Sequence, residues 1–126
     1  MSLRRLVLAA LVWAAAACHP RVPVPYPPTV ESDFRPRCAA EFERLGAAAS
    51  PGVTAARCDC VLRLCEAEWG FEKFTKVVRN IDTGRYRYRY VTSPWGYAPV
   101  EIGTTFPTEM LDMMEQCRLT IADEAP

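Results

Sequence analysis

Arg57-Cys58-Asp59-Cys60-Val61-Leu62-Arg63-Leu64-Cys65 is the stretch that decides the fold, because it holds three of the six cysteines of the chain. At 100° per residue along an α-helix, Cys58 and Cys65 lie about 20° apart on one face, and Cys60 points about 200° away from Cys58. A helix of this kind can be cross-linked from two sides. The stretch therefore predicts a helix, ending near Trp69, at the centre of a small disulfide-stabilised domain.

The N-terminus has the features of an export signal over residues 1–17. Two arginines precede an apolar run at residues 6–17, and the small residues that end this run precede Cys18. This order is typical of secretory signals, and a run of about 12 residues is too short to span a bilayer as a mature helix. We therefore predict an exported protein whose cysteines form disulfides in an oxidising compartment instead of binding metal as thiolates.

The residues Ala15-Ala16-Ala17-Cys18 resemble the lipobox of bacterial lipoproteins, in which small residues precede an invariant cysteine. The resemblance covers residues 1–18. It implies cleavage before Cys18, acylation of the Cys18 thiol, and attachment to a membrane through the lipid anchor. Because His19 stands where aspartate would retain a lipoprotein at the inner membrane, it further implies the outer membrane, facing the periplasm. The same small residues also fit ordinary signal peptidase, which would release a soluble protein.

Composition divides the exported part into two segments. Residues 18–33 are rich in proline and predict an extended, semi-rigid tether, which leaves residues 34–126 for a small periplasmic domain. Removal of the signal leaves 13 basic residues (15 less the two arginines) and 15 acidic ones, a formal charge of −2. This balance gives no support for a nucleic-acid partner, which requires a strongly positive surface.

The periodicity of the domain predicts an α+β fold of three to four short helices and one β-hairpin. Helical spacing of apolar residues marks residues 36–48, and Pro107 opens a last helix whose apolar face carries methionines and Cys117. Strict alternation at residues 85–90 predicts a strand. Residues 76–81 are its predicted hairpin partner, and an aromatic loop follows at residues 93–99.

The spacing of the helices also predicts one disulfide. If the first two helices form an antiparallel pair about a turn at Ser50, Cys38 lies opposite residues near Leu64. The Cys38–Cys65 bridge is therefore favoured, and it would stabilise the domain by ~3 kcal/mol in the chain-entropy model.

The sequence does not fix how the remaining cysteines pair or how many disulfides form. Cys117 then pairs with Cys58 or Cys60, and the inward face that Cys58 shares with Cys65 favours Cys58, leaving Cys60 free. If Cys18 is acylated, the five other thiols cannot all be paired. If Cys18 is not acylated, six thiols allow three disulfides, which favours a soluble secreted binding protein.

The cysteines and methionines suggest two alternative kinds of chemical site. The pair Cys58-x-Cys60 near a helix N-terminus suggests a thiol-redox centre, and the methionines at 110, 113 and 114 suggest a soft-metal site for copper. Structural disulfides and core packing are the favoured interpretations, so we predict no metal site and no cofactor. Because His19 is the only histidine and lies outside the domain, the usual histidine-based triads are excluded and we predict no catalytic residues.

The most informative surface prediction is an arginine and aromatic patch. Arg85, Arg87 and Arg89 would share one strand face, and Trp95 and Tyr97 would lie in the next loop. Such a surface suits an envelope protein or an anionic glycan or lipid. The simpler alternative is a half-buried strand with tyrosines towards the core. The whole sequence thus predicts a membrane-anchored bacterial lipoprotein with a non-catalytic structural or interaction role in the cell envelope.

Overall fold

The computed structural model describes residues 22–122, which form an α+β domain of helices and one antiparallel hairpin. The helices are α1 (Pro28–Arg44), α2 (Pro51–Glu68), α3 (Phe71–Asp82) and α4 (Thr108–Thr120), and the strands are β1 (Tyr88–Ser93) and β2 (Gly96–Glu101), preceded by a 3₁₀ turn (Arg85–Arg87). The predicted fold class is confirmed. The predicted signal and Cys18 lie outside the described residues. No helix in the described range is long and apolar enough to cross a bilayer.

Helix α1 begins and ends earlier than the sequence predicts. Pro28 occupies its first turn, where a missing N–H costs nothing, and Pro36 lies inside the helix. Phe34, Cys38 and Phe42 are buried at every fourth position, so one apolar face spans the whole helix. Pro36 is on the exposed side, where water can satisfy the carbonyl that its ring leaves without a partner.

The turn between α1 and α2 sets the register of these helices. Gly46 has a φ of +73°, and its N–H donates to the carbonyl of Glu43 at 3.0 Å, while the N–H of Ala47 donates to the carbonyl of Phe42 at 2.9 Å. This is a Schellman motif, which ends α1 before the predicted boundary. Pro51 then begins α2 instead of breaking the preceding helix. The turn is therefore centred near residue 48.

This register corrects the predicted disulfides. Cys38 is bonded to Cys58 and Cys60 to Cys117, each pair with Cα atoms 5.8 Å apart. The predicted Cys38–Cys65 and Cys58–Cys117 pairs are wrong, and among the five cysteines of residues 22–122 the free thiol is Cys65, not Cys60. Positions 38 and 58 are equally far from a turn centred near residue 48, so they lie opposite each other. Cys60, on the other side of α2, bonds to α4.

The predicted strand at residues 76–81 is wrong, because this segment belongs to α3. Phe74, Val77 and Ile81 are buried and follow the i, i+3, i+7 spacing of a helix that packs one face on the core. The β-branched side chains of this segment also suit a strand, which explains the wrong prediction.

The hairpin instead forms from residues that were predicted as strand and loop. Its register runs from the Tyr88–Glu101 pair to the Ser93–Gly96 pair, with Pro94 and Trp95 as the two-residue turn. Gly96 has a φ of +110°, a backbone conformation that residues with a side chain rarely adopt. At the base, the N–H of Ile102 donates to the carbonyl of Arg87 at 2.8 Å.

The folded domain begins before the predicted boundary at residue 34. Tyr26 is 4% exposed, its ring stacks on Phe74 with centroids 4.3 Å apart, and its hydroxyl donates to the carbonyl of Trp69 at 2.9 Å. The N–H of Val24 donates to the carbonyl of Glu66 at 3.5 Å. Residues 24–33 therefore belong to the domain and not to a tether.

Candidate interaction surface

The predicted row of arginines is divided between two elements. Arg85 and Arg87 lie in the 3₁₀ turn and Arg89 lies in β1, so the prediction of a single strand face is wrong. Gly84, with a φ of +71°, turns the chain just before them. A 3₁₀ turn has three residues per turn whereas a strand alternates every second residue, so the first two arginines do not continue the face of Arg89. All three side chains are exposed.

Both faces of the hairpin are exposed to solvent. Tyr88 and Tyr90 lie on one face and are not directed at the core, since Tyr90 is 70% exposed. Val91 and Val100 lie on the opposite face and are also exposed. At the turn, Trp95 is 95% exposed. The alternative of a half-buried strand with tyrosines towards the core is therefore wrong for Tyr88 and Tyr90, whereas Tyr86, in the 3₁₀ turn, packs against the core.

Such a hairpin is an unusual feature in a small domain. Two-stranded hairpins with no packed face are marginally stable in water, and contiguous exposed apolar surface commonly marks a site of interaction. We call residues 88–101 the aromatic hairpin. The predicted binding-surface residues Trp95 and Tyr97 both lie on it, beside each other at the turn. Its exposure supports a role in contacting a partner.

The arginines near the hairpin differ from the others in the described part of the chain. Five arginines elsewhere contact carboxylates: Arg35, Arg37, Arg44, Arg63 and Arg118. Arg79, Arg85, Arg87 and Arg89, which we call the arginine cluster, make no salt bridge with any residue in the range 22–122. These four positive charges are thus available to an external anion.

A shallow hollow of about 380 Å³ lies within this cluster. It is lined by Lys76, Arg79, Asn80, Thr83 and Arg85. Asp82, the acidic residue nearest in sequence, is held instead by Arg37 through two hydrogen bonds of 3.0 and 2.9 Å. No carboxylate lines the hollow, so it offers the guanidinium groups of Arg79 and Arg85. Lys76 also contacts Glu72 at 3.8 Å, and the Asn80 amide and the Thr83 hydroxyl donate within the protein. The two guanidinium groups suit a phosphate or a similar oxyanion.

Cys65 is the free thiol of the described residues, and it is fully buried. Burial raises its pKa to about 12, and the negative charge of Glu66 acts in the same direction. Its sulfur lies 3.6 Å from the sulfur of Met113. A protonated, enclosed thiol is a poor nucleophile and a poor metal ligand. Cys58 and Cys60 are tied into separate disulfides, so the proposed thiol-redox pair is not formed between them.

The methionines of α4 are packing residues. Met110 and Met114 are buried in the core, and Met113 packs against it. Within residues 22–122, no three His, Cys, Asp or Glu side chains lie close enough together to hold a metal ion.

The sequence analysis missed a buried carboxylate on α2. The side chain of Glu66 is fully buried. Its Oε2 accepts the N–H of Tyr26 at 2.5 Å, and its Oε1 accepts from Arg63. Burial raises the pKa of Glu66 and Glu31 adds to the rise, while the Tyr26 hydrogen bond and Arg63 oppose it. A signal was present, because Glu66 follows Leu62 by four residues on the apolar face.

Comparison with known proteins adds no relative from which a function could be transferred. The chain matches no protein-family model, no curated protein and no solved structure. Its function is therefore argued from the cysteines, the aromatic hairpin and the arginine cluster. The two disulfides indicate an extracytoplasmic protein, since such bonds form and persist in oxidising compartments.

Proposed function

We propose that this protein is a lipid-anchored bacterial lipoprotein whose domain has a non-catalytic interaction role in the cell envelope. The observation that carries the proposal is the state of the cysteines. Two disulfides use four of the five cysteines that the structure describes, and the fifth, Cys65, is enclosed in the core. The odd number of thiols is thereby accounted for without Cys18, which remains available for acylation.

The soluble alternative requires a third disulfide between Cys18 and Cys65. The thiol of Cys65 is 0% exposed, and the segment around Tyr26 is hydrogen-bonded to its neighbour Glu66. Such a bridge would require this segment to be displaced from the core. The lipoprotein proposal makes no such demand, because a buried cysteine behaves as a small apolar side chain.

The tether in this proposal is short. Because the folded domain begins near Val24, only residues 19–23 separate it from the acylated cysteine, and the chain from Cys18 to Val24 spans at most about 22 Å when fully extended. The domain would therefore stay near the membrane surface. Its exposed aromatic hairpin supports a role in contacting something at that surface.

Replacement of the anchor residue tests this proposal. The full chain with Cys18→Ser is expected to move to the soluble periplasmic fraction, because a single protein contact with lipid does not replace an acyl anchor. The measurement is the distribution of the protein between washed membranes and soluble fractions, with a high-salt wash to remove ionic contacts.

Cys65→Ser is the matched control, since it removes the other unpaired cysteine and is expected to leave the protein in the membranes. The proposal is wrong if the wild-type protein is soluble, or if the Cys18→Ser protein is retained in the membranes as fully as the wild-type protein after the high-salt wash.

A further inference from the structure

The arginine cluster and the aromatic hairpin adjoin each other in the fold. Arg89 lies within β1, and the carbonyl of Arg87 accepts the hydrogen bond that closes the hairpin base. Arg85 belongs to the same 3₁₀ turn and also lines the hollow with Arg79. The positively charged foot of the hairpin is therefore continuous with its exposed aromatic residues. The charge balance of the whole chain gives no indication of this local positive charge.

The charges at the base are suited to phosphate. Guanidinium groups bind phosphate through paired hydrogen bonds, and two of the cluster, Arg79 and Arg85, line the hollow together. Glu101 is the single carboxylate of the aromatic hairpin, and it makes no salt bridge with the cluster. The surface is thus complementary to an anion bearing several phosphates.

The aromatic hairpin indicates which phosphate-bearing partner fits. Apolar and aromatic side chains occur on both of its faces and at its turn. A protein or a glycan that bound one face would leave the other in water, whereas a bilayer interface surrounds an inserted turn on all sides. Tryptophan and tyrosine are the residues that favour this interface. The unpaired backbone groups of the strand edges limit insertion to the headgroup region.

The length of the hairpin allows its turn and the arginine cluster to contact the membrane at the same time. Arg89 lies about 16 Å from the turn along β1, at about 3.3 Å per residue. The headgroup layer of one leaflet is about 5–8 Å thick. An upright hairpin would leave Arg89 about 10 Å above it, roughly the distance over which salt screens charge, and a tilted one brings the arginine cluster to the phosphates.

We propose that the turn of the aromatic hairpin inserts into the headgroup layer of an anionic phospholipid membrane, whose phosphates bind the arginine cluster. This inference rests on the proposed interaction role in the cell envelope, and it identifies the partner as the anionic membrane surface. The domain would then contact the membrane at two places, the acyl chains on Cys18 and the hairpin, and so would be held in a fixed orientation.

The test is sedimentation with vesicles, using the full chain with Cys18→Ser in every protein so that no acyl anchor contributes. Phosphatidylcholine vesicles with and without phosphatidylglycerol are the two surfaces. We expect strong binding to the anionic vesicles, weakening as salt is raised, and much weaker binding to the neutral ones. Arg79→Gln, Arg85→Gln and Arg89→Gln together are expected to weaken the binding about 100-fold.

The matched control is Arg35→Gln, Arg118→Gln and Lys73→Gln, which removes the same charge from side chains that already contact carboxylates and leaves the Arg37–Asp82 pair in place. It is expected to weaken binding by about threefold or less, through the long-range field alone. In a separate variant, Trp95→Ala with Tyr97→Ala is expected to remove the part of the binding that persists at high salt. All substituted side chains are at least partly exposed, and circular dichroism checks that each variant is folded.

Three results would overturn the proposal. Equal loss in the triple-arginine variant and its matched control would show an effect of net charge only. Unchanged binding after loss of both aromatic residues, together with displacement by soluble heparin, would indicate an acidic glycan as the partner. Absence of binding to anionic vesicles at low salt would exclude membrane docking. None of these results bears on the acyl anchor, which is tested separately by the difference in salt-resistant membrane retention between the wild-type and Cys18→Ser proteins.

Discussion

Replacing Cys60 and Cys117 together with serine is expected to lower the free energy of unfolding by about 4 kcal/mol. The bond between them joins α2 to α4 across a sequence separation of 57 residues, which includes α3 and the aromatic hairpin. Without it, the unfolded chain gains the freedom that the closed loop had removed. The same change at Cys38 and Cys58, with a separation of 20 residues, is expected to cost about 3 kcal/mol. Guanidinium unfolding without reductant measures both.

The single substitution Cys60→Ser distinguishes the observed pairing from the pairing that the sequence predicted. It is expected to be about as destabilising as the double substitution, because it breaks the same bond. If Cys60 were the free thiol, this substitution would be nearly neutral. A loss below about 1 kcal/mol would therefore contradict the Cys60–Cys117 bond.

Replacing Tyr26 with alanine is expected to lower the free energy of unfolding by about 3–5 kcal/mol, the usual cost of removing a buried aromatic ring. The ring stacks on Phe74, and a second contact joins it to Phe71 with centroids 6.0 Å apart. The loss would be large for a residue outside the predicted domain boundary, and this makes it a direct test of where the domain begins.

Tyr26→Phe is the matched control, since it keeps the ring and removes the hydrogen bond from the hydroxyl to Trp69. It is expected to cost about 1 kcal/mol. Thermal or denaturant unfolding of the two variants separates packing from hydrogen bonding. Equal and small losses in both would show that the segment around Tyr26 is not part of the core.

The sequence predicted the features that depend on local periodicity. The helix around Cys58 and Cys65 and the apolar face of α4 follow from helical spacing, and both are confirmed. The disulfide pairs were not predictable in the same way, because they depend on where the turn between two helices is centred. Gly46 was the missed signal, since a glycine in the left-handed region ends a helix in a Schellman motif.

The strands and the surface were harder to predict for a different reason. The valines and isoleucine of α3 suit a helix and a strand alike, and only contacts with the core decide between them. Pro99 in β2 argues against a strand in sequence, but both strands of a two-stranded sheet are edges, where proline is tolerated. The absence of carboxylates around Arg79 and Arg85 depends on the ion pair of Asp82 with Arg37, 45 residues away in sequence.

The most direct test of the proposed lipoprotein is the intact mass of the protein purified from its own membranes without reductant. Samples are alkylated before and after unfolding. We predict a mass that begins at Cys18 and includes acyl chains, no alkylation while the protein is folded, and one alkylated thiol, Cys65, after unfolding. An unmodified mass beginning at Cys18, with no alkylated thiol even after unfolding, would contradict the account, because Cys18 would then be a sixth structural cysteine and the protein would have no anchor.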